Sequence, residues 1–154
     1  MIIIELSERP ELLDKGIAYF WEKWGNDSNY LFYKDCITNS FEKNNKLPKF
    51  YLCLKQSEII GSYALLTNDL ISRQDLMPWF ACLYVNEEFR KNGIADQLLN
   101  HAIAQTKKKG FKKLYLNTEL NNFYEKKGWL HISDGYNASG DLVKIFSKAT
   151  NAKM

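Results

Sequence analysis

Arg90, Lys91 and Gly93 stand together in the run Arg90-Lys-Asn-Gly-Ile-Ala95, between an apolar run and a helical pattern. Two cations and a glycine in such a turn suit the capture of an anion. Gly93 lets a ligand approach the backbone closely, and Arg90 and Lys91 set positive charge beside it. An apolar, aromatic run from Trp79 to Val85 precedes them, with the length and composition of a largely buried strand. Behind them, Ile94, Leu98, Leu99, Ala102 and Ile103 fall on one helical face. A strand, a glycine-bearing turn and a helix start together present backbone N–H groups that have no intrahelical partner. The helix dipole adds about 0.3–1 kcal/mol for a negative charge placed there. The stretch from Trp79 to Lys109 therefore reads as a phosphate cradle. Asp96 lies in the helix's first turn and would repel a phosphate if it pointed inward. At about 100° per residue it can face away, and it is expected to point outward.

Other reactive side chains are scattered. Cys36, Cys53 and Cys82 sit inside apolar segments without metal-ligand spacing. An odd count with no close pair reads as buried thiols in a reducing compartment. Neither Cys53 nor Cys82 has a paired histidine in its sequence context, so neither reads as a nucleophile. His101 is placed mid-helix and expected on the surface, and His131 lies in a strand that can face either way. Nothing in the chain has the spacing of a metal site.

The elements that must position the cradle fit one fold of modest size. The chain has 154 residues, 45% of them apolar and 25% charged, with a net charge of +3. Those values are ordinary for a single globular domain, and 1–154 is read as one. A charge of +3 argues against a protein built to coat nucleic acid. The opening Met1-Ile-Ile-Ile-Glu5 is too short for a secretory leader, and no apolar run approaches a membrane span of about 20 residues. A cytoplasmic protein without a membrane or nucleic-acid partner is expected.

In chain order, Ile2–Leu6 reads as a strand and Ser7-Glu-Arg-Pro10 as a helix opening. Leu13, Ile17, Phe20, Trp21 and Trp24 make its inner face. A second helix, capped by Asp27 or Ser28, carries Tyr30, Tyr33, Ile37 and Phe41. Phe50–Leu54 and Ile59–Leu66 form a hairpin, with Gly61 marking a bulge or a close backbone approach. Thr67–Pro78 lacks periodicity and reads as a mobile surface loop. After the cradle helix, ended by Lys107-Lys-Lys-Gly110, come a strand at Lys113–Asn117 and a short helix at Asn121–Lys127. Strands at Trp129–Ser133 and Leu142–Phe146 follow. The order βααβββαβαββ predicts an α/β (α+β) mixed sheet flanked by helices.

The residues Arg90-Lys91-Asn92-Gly93-Ile94-Ala95 resemble the pyrophosphate signature Gln/Arg-x-x-Gly-x-Gly/Ala of the GNAT superfamily of acetyl-CoA-dependent N-acetyltransferases. Asn122-Phe-Tyr-Glu-Lys-Lys-Gly128-Trp129 is similar to a second signature, Phe-Tyr-Glu-Lys-x-Gly-Phe. The predicted order of elements agrees over nearly the whole chain, the N-terminal third in pattern only. The resemblance implies a GNAT-like fold and acetyl-CoA as cosubstrate, with no metal. It implies that the fourth strand splays from the fifth, so that the backbone of Leu83 and Val85 pairs with the pantetheine arm. Amides from Lys91 to Ala95, flanked by Arg90, would hold the pyrophosphate, and Asn117 and Asn122 would offer polar contacts to the cofactor arm. Tyr124 corresponds to the family's proton donor to the departing thiolate.

The implied activity is transfer of acetyl to a primary amine, on a small molecule or a peptide, by direct attack in a ternary complex. The Val85 N–H would face the developing oxyanion. Relatives often carry a glutamate on the fourth strand, yet Trp79–Val85 has no acid; Asp75, Glu119 or a water chain remain as routes for the proton. That gap leaves a rival reading, a non-catalytic acyl-CoA-binding regulator. A nucleic-acid module using Lys107–Lys109 and Lys112–Lys113 is the other rival, and the low net charge opposes it. Many relatives are dimers, so a homodimer is allowed by the resemblance.

Overall fold

The computed structural model describes residues 1–152. The elements are β1 (Ile2–Glu5), α1 (Leu13–Trp24), α2 (Tyr30–Asn39), β2 (Lys49–Lys55), β3 (Glu58–Leu66), β4 (Trp79–Val85), α3 (Ile94–Lys108), β5 (Lys113–Thr118), β6 (Leu130–Tyr136) and β7 (Leu142–Ala149). The strands form one seven-stranded sheet in the order β1-β2-β3-β4-β5-β7-β6. Its pairing is mixed, parallel for β4 with β5 and antiparallel for β1–β2, β2–β3, β5–β7 and β6–β7. Among the described residues no helix is long and apolar enough to cross a membrane. The expected helix at Asn121–Lys127 is only a three-residue 3-10 turn, Glu125–Lys127. Left-handed Asn122 (φ 63°) and Gly128 (φ 86°) bracket too few residues for an α-helical turn to propagate.

The chain divides into two compact units, each assembled from separate stretches: Met1–Leu65 with Cys82–Ala102, and Leu66–Ala81 with Ile103–Met154. In the first, β2 is buried from Lys49 to Leu54, as a near-continuous apolar run covered on both faces should be. Its core includes Leu6, Ile17, Phe20, Ile37, Leu52, Ile60 and Leu98. Gln56 and Ser57 both take positive φ (49° and 71°) and close the β2–β3 hairpin more tightly than its sequence suggests. The cap of α2 is Asn29 rather than Asp27 or Ser28.

Lys49 shows how this unit satisfies a buried charge. It is only 6% exposed, and its ammonium donates to the carbonyls of Ser40 (2.8 Å) and Glu42 (3.1 Å). Ser40 caps α2 at its C-terminus, where the dipole favours a cation. Lys49→Met should therefore lower unfolding free energy by about 1–3 kcal/mol, because two sheltered carbonyls lose their donor. Urea titration at unchanged m-value measures it.

In the second unit, Trp79 is fully buried with Ile71, Val143 and Ile145. Trp79 pairs with Tyr115 of β5, and Tyr115 N–H donates to the Pro78 carbonyl at 3.1 Å. The segment Thr67–Pro78 is irregular, as expected, but it is laced down. Asn68 Oδ1 accepts from the Ile71 N–H and from Gln74 Nε2, both at 2.9 Å. Ser72 N–H donates to the Tyr136 carbonyl at 2.8 Å, and Ser72 Oγ accepts from the Tyr136 N–H at 3.0 Å. Arg73 donates to Ser133 Oγ at 3.1 Å.

Candidate active site

The cradle begins with a distortion in β4. Cys82 adopts φ 58°, a left-handed conformation that re-aims the strand from Leu83 onward. Ser62 Oγ donates to the Cys82 carbonyl at 3.0 Å. Gly61 lies so close to β4 that a Cβ there would stand 2.9 Å from the Tyr84 carbonyl oxygen. The glycine thus marks a close backbone approach, and the adjacent register shift at Cys53/Leu54 marks a bulge as well. At the strand's end Asn86 is pinned on three sides. Its N–H donates to the Ile60 carbonyl (2.8 Å), its amide to the Ile59 carbonyl (3.0 Å), and its Oδ1 accepts from Tyr19 Oη (2.7 Å).

The turn that follows is shaped residue by residue. Arg90 Nε donates to the Val85 carbonyl at 2.8 Å, and its guanidinium lies over the Tyr84 ring, 5.2 Å from the centroid. Lys91 and Gly93 are both left-handed, at φ 67° and 78°. Alternation of that kind turns successive N–H groups toward one side, the geometry of an anion nest. Asn92 fastens the turn by donating to the Phe89 and Arg90 carbonyls at 3.1 and 3.2 Å. The Gly93 carbonyl accepts the first hydrogen bond of α3, from the Gln97 N–H at 3.1 Å. Ile94 is buried and Ala95 half-buried, and Lys91, Asn92 and Gly93 are exposed. Asp96 is exposed, as anticipated. Leu98, Leu99 and Ala102 are buried; they hold the helix so that its N-terminus stays presented.

Leu83 and Val85 lie beyond the Cys82 distortion, half-buried and buried. Arg90 already occupies the Val85 carbonyl, so a ligand strand would draw on that residue's N–H. His101 is not the surface residue its mid-helix position suggested. It is half-buried, with Nδ1 2.7 Å from Tyr63 Oη, and Tyr63 stacks on Tyr51 with ring centroids 4.4 Å apart. His131 is exposed and 2.9 Å from Asp134. The three cysteines are thiols, with burial pushing those of Cys36 and Cys53 up.

In the second unit, Tyr124 is 8% exposed, and its ring packs against Phe123, Trp129 and Phe146. Its carbonyl accepts from the Lys127 and Trp129 N–H groups at 3.0 and 3.1 Å. Burial raises its phenol above the usual value, so it stays protonated at neutral pH. Asn122 is exposed. Asn117 is not simply presented to solvent: its Nδ2 donates to Asp69 Oδ2 at 2.9 Å.

Asp69 lies half-buried in the Thr67–Pro78 segment. Burial pushes its carboxyl up to about 6, although the Asn117 amide pulls the other way. Asp75, a nearer guess for a base, is spoken for. Both its oxygens accept from Arg73 at 2.9 Å, which holds its carboxyl below the usual range. Asp69 has consequences for stability as well. A carboxyl raised in the folded chain stabilises it below the unfolded value near 3.8, and that contribution is lost as pH rises through about 6. Asp69→Asn should therefore stabilise the protein by about 1–2 kcal/mol above pH 7, after allowance for partial exposure, and by little near pH 4. Urea unfolding at the two pH values measures the difference.

Among the described residues no group of three or more His, Cys, Asp or Glu could hold a metal ion. Comparison with curated proteins gives no match. Among solved structures, the chain superposes on aminoglycoside 6'-acetyltransferase type Ii with a TM-score of 0.72 at 21% identity, covering 100% of both chains. It matches the aminoglycoside 6'-N-acetyltransferase from Enterococcus faecium with the same TM-score at 18% identity, over 100% of this chain and 99% of that one. A GNAT family acetyltransferase from Elizabethkingia anophelis with acetyl-CoA bound matches at 23% identity and a TM-score of 0.55, over 66% of this chain and 76% of that one. The model of the acetyltransferase (GNAT) family matches residues 10–129, which span both the cradle and Tyr124. By that match, the chain belongs to the GNAT family of acetyltransferases.

Proposed function

We propose that the protein, acting as one domain over its whole length, moves the acetyl group of acetyl-CoA to a primary amine on a small molecule. The observation that carries this reading is the nest at Lys91–Ala95 opening α3, in a chain of this family. Its N–H groups, with Arg90 and Lys91 beside them, suit a pyrophosphate. The backbone of Leu83 and the Val85 N–H take the pantetheine arm as an added strand. Asn122, beside Tyr124 in sequence, supplies a polar contact to the arm, as does Asn117 through the part of its amide not used on Asp69. In the ternary complex the amine attacks the thioester carbonyl directly, and the Val85 N–H steadies the oxyanion. Tyr124 protonates the departing thiolate.

The full-length likeness to two aminoglycoside 6'-acetyltransferase structures makes an aminoglycoside amine the first acceptor to try. Calorimetry with acetyl-CoA should give one site per chain. Release of free thiol should then depend on an amine drawn from aminoglycosides, polyamines and lysine peptides. Absence of acetyl-CoA binding refutes the reading. Binding without turnover on any amine leaves an acyl-CoA-responsive regulator in its place.

A further inference from the structure

An amine that arrives as an ammonium ion must lose a proton before it can attack a thioester, and β4 carries no carboxylate to take it. We propose that Asp69 is the carboxylate that receives the acceptor's ammonium and takes its proton, with Asn117 as its positioning residue. This rests on the acetyltransferase reading.

The geometry is specific. Asp69 is half-buried beside Leu70 and Ile71, in a segment fixed by the Asn68 side chain. Its Oδ2 accepts from Asn117 Nδ2. An ionised carboxylate cannot donate, so the Asn117 amide must turn its nitrogen toward it. Oδ1 has no protein donor among the described residues. Asn117 lies two residues beyond Tyr115 on β5, on the same face of the strand, and Tyr115 pairs with the first residue of β4. The neighbouring cations are committed elsewhere. Arg73 is held in a two-pronged pair by Asp75, and Lys144, opposite Thr118, reaches Asn121. A sheltered carboxylate with one amide partner and no cation is a site for an ammonium ion. A purely structural link between the loop and β5 would need no charge, since an asparagine at 69 could accept the same hydrogen bond. With its carboxyl near 6, Asp69 is ionised at pH 7.5 and a better base than an ordinary aspartate.

The proton and electron count closes. The ammonium gives a proton to Asp69 Oδ1, and the freed nitrogen pair forms a C–N bond to the thioester carbon. The C–S bond breaks with its pair on sulfur, and Tyr124 protonates that sulfur. The surplus proton on the new nitrogen returns to the Tyr124 oxygen, and Asp69 releases its own to water. One ammonium and one thioester become one amide, one thiol and one free proton.

The experiment is the pH profile of kcat/KM between pH 5 and 9, with the amine that the wild type turns over best in the panel above. The wild type should show an acid limb near pH 6. Asp69→Asn should lose activity about 100-fold at pH 7.5 and lose that limb, with acetyl-CoA affinity within twofold. Asn117→Ala keeps the carboxylate but removes a hydrogen bond that favours its ionised form, so its limb should move to higher pH. Asp69→Asn with unchanged turnover, or with the same limb, overturns the assignment. If that variant does not fold, an unmoved limb in Asn117→Ala overturns it alone. A wild type that binds acetyl-CoA and turns over no amine removes the acetyltransferase reading, and the base with it.

Discussion

Gly93→Val is expected to weaken acetyl-CoA binding by about 10²–10³-fold while leaving a folded protein. Gly93 has φ 78°, and no atom lies within 4 Å of where its Cβ would be. The fold therefore has room for a side chain, and the damage comes from two other sources. A β-branched residue in the left-handed region costs about 1–3 kcal/mol, so the turn relaxes and the nest loses its alignment. The new methyl groups would also fill the open space beside Gly93, the side a pyrophosphate would approach under the proposed reading. Loss of one or two charge-assisted hydrogen bonds, each worth about 1.5–3 kcal/mol, accounts for the expected loss of affinity. Calorimetry reads the affinity and urea unfolding reads the strain. Gly93→Ala separates the two, because it adds strain with far less bulk. A folded Gly93→Val protein that binds acetyl-CoA within threefold of the wild type would remove Lys91–Ala95 as the pyrophosphate site.

Tyr124→Phe should lower turnover by about 10²–10³-fold and change acetyl-CoA affinity little. The ring contacts with Phe123, Trp129 and Phe146 survive in phenylalanine, so packing is preserved and only the hydroxyl is lost. The sign of the pH effect follows from burial. Because the phenol is raised above its usual value, the acid form persists as pH climbs. The wild-type profile should thus lack an alkaline limb from Tyr124 up to at least pH 9. Steady-state kinetics with a good acceptor checks both statements, and an unchanged kcat would exclude Tyr124 as the donor.

The parts of the fold legible in the sequence were those with a period. Ile94, Leu98, Leu99 and Ala102 announced the buried face of α3, because a helix repeats every 3.6 residues. Glycine spacing announced the turn before it. Phe123, Tyr124 and the charges after them imitated a helix over Asn121–Lys127. The left-handed backbone at Asn122 and Gly128, which period alone does not reveal, limits that segment to one 3-10 turn. The order in Thr67–Pro78 was hidden for a related reason. It arises from the Asn68 side chain standing in for backbone groups, and such bonds leave no repeat in a sequence. His101 was misjudged because its character is tertiary. A helix histidine becomes an inward partner of Tyr63 only through what folds over it, and the burial that raises the Asp69 carboxyl is tertiary in the same way.

The two compact units also bear on how such a protein can be taken apart or rebuilt. The chain passes from one to the other at Leu65/Leu66, Ala81/Cys82 and Ala102/Ile103. The last two crossings fall inside β4 and α3. No single cut yields either unit as a continuous piece, and the crossings within β4 and α3 would sever a strand or a helix. Neither unit can therefore be exchanged with a relative at a single junction.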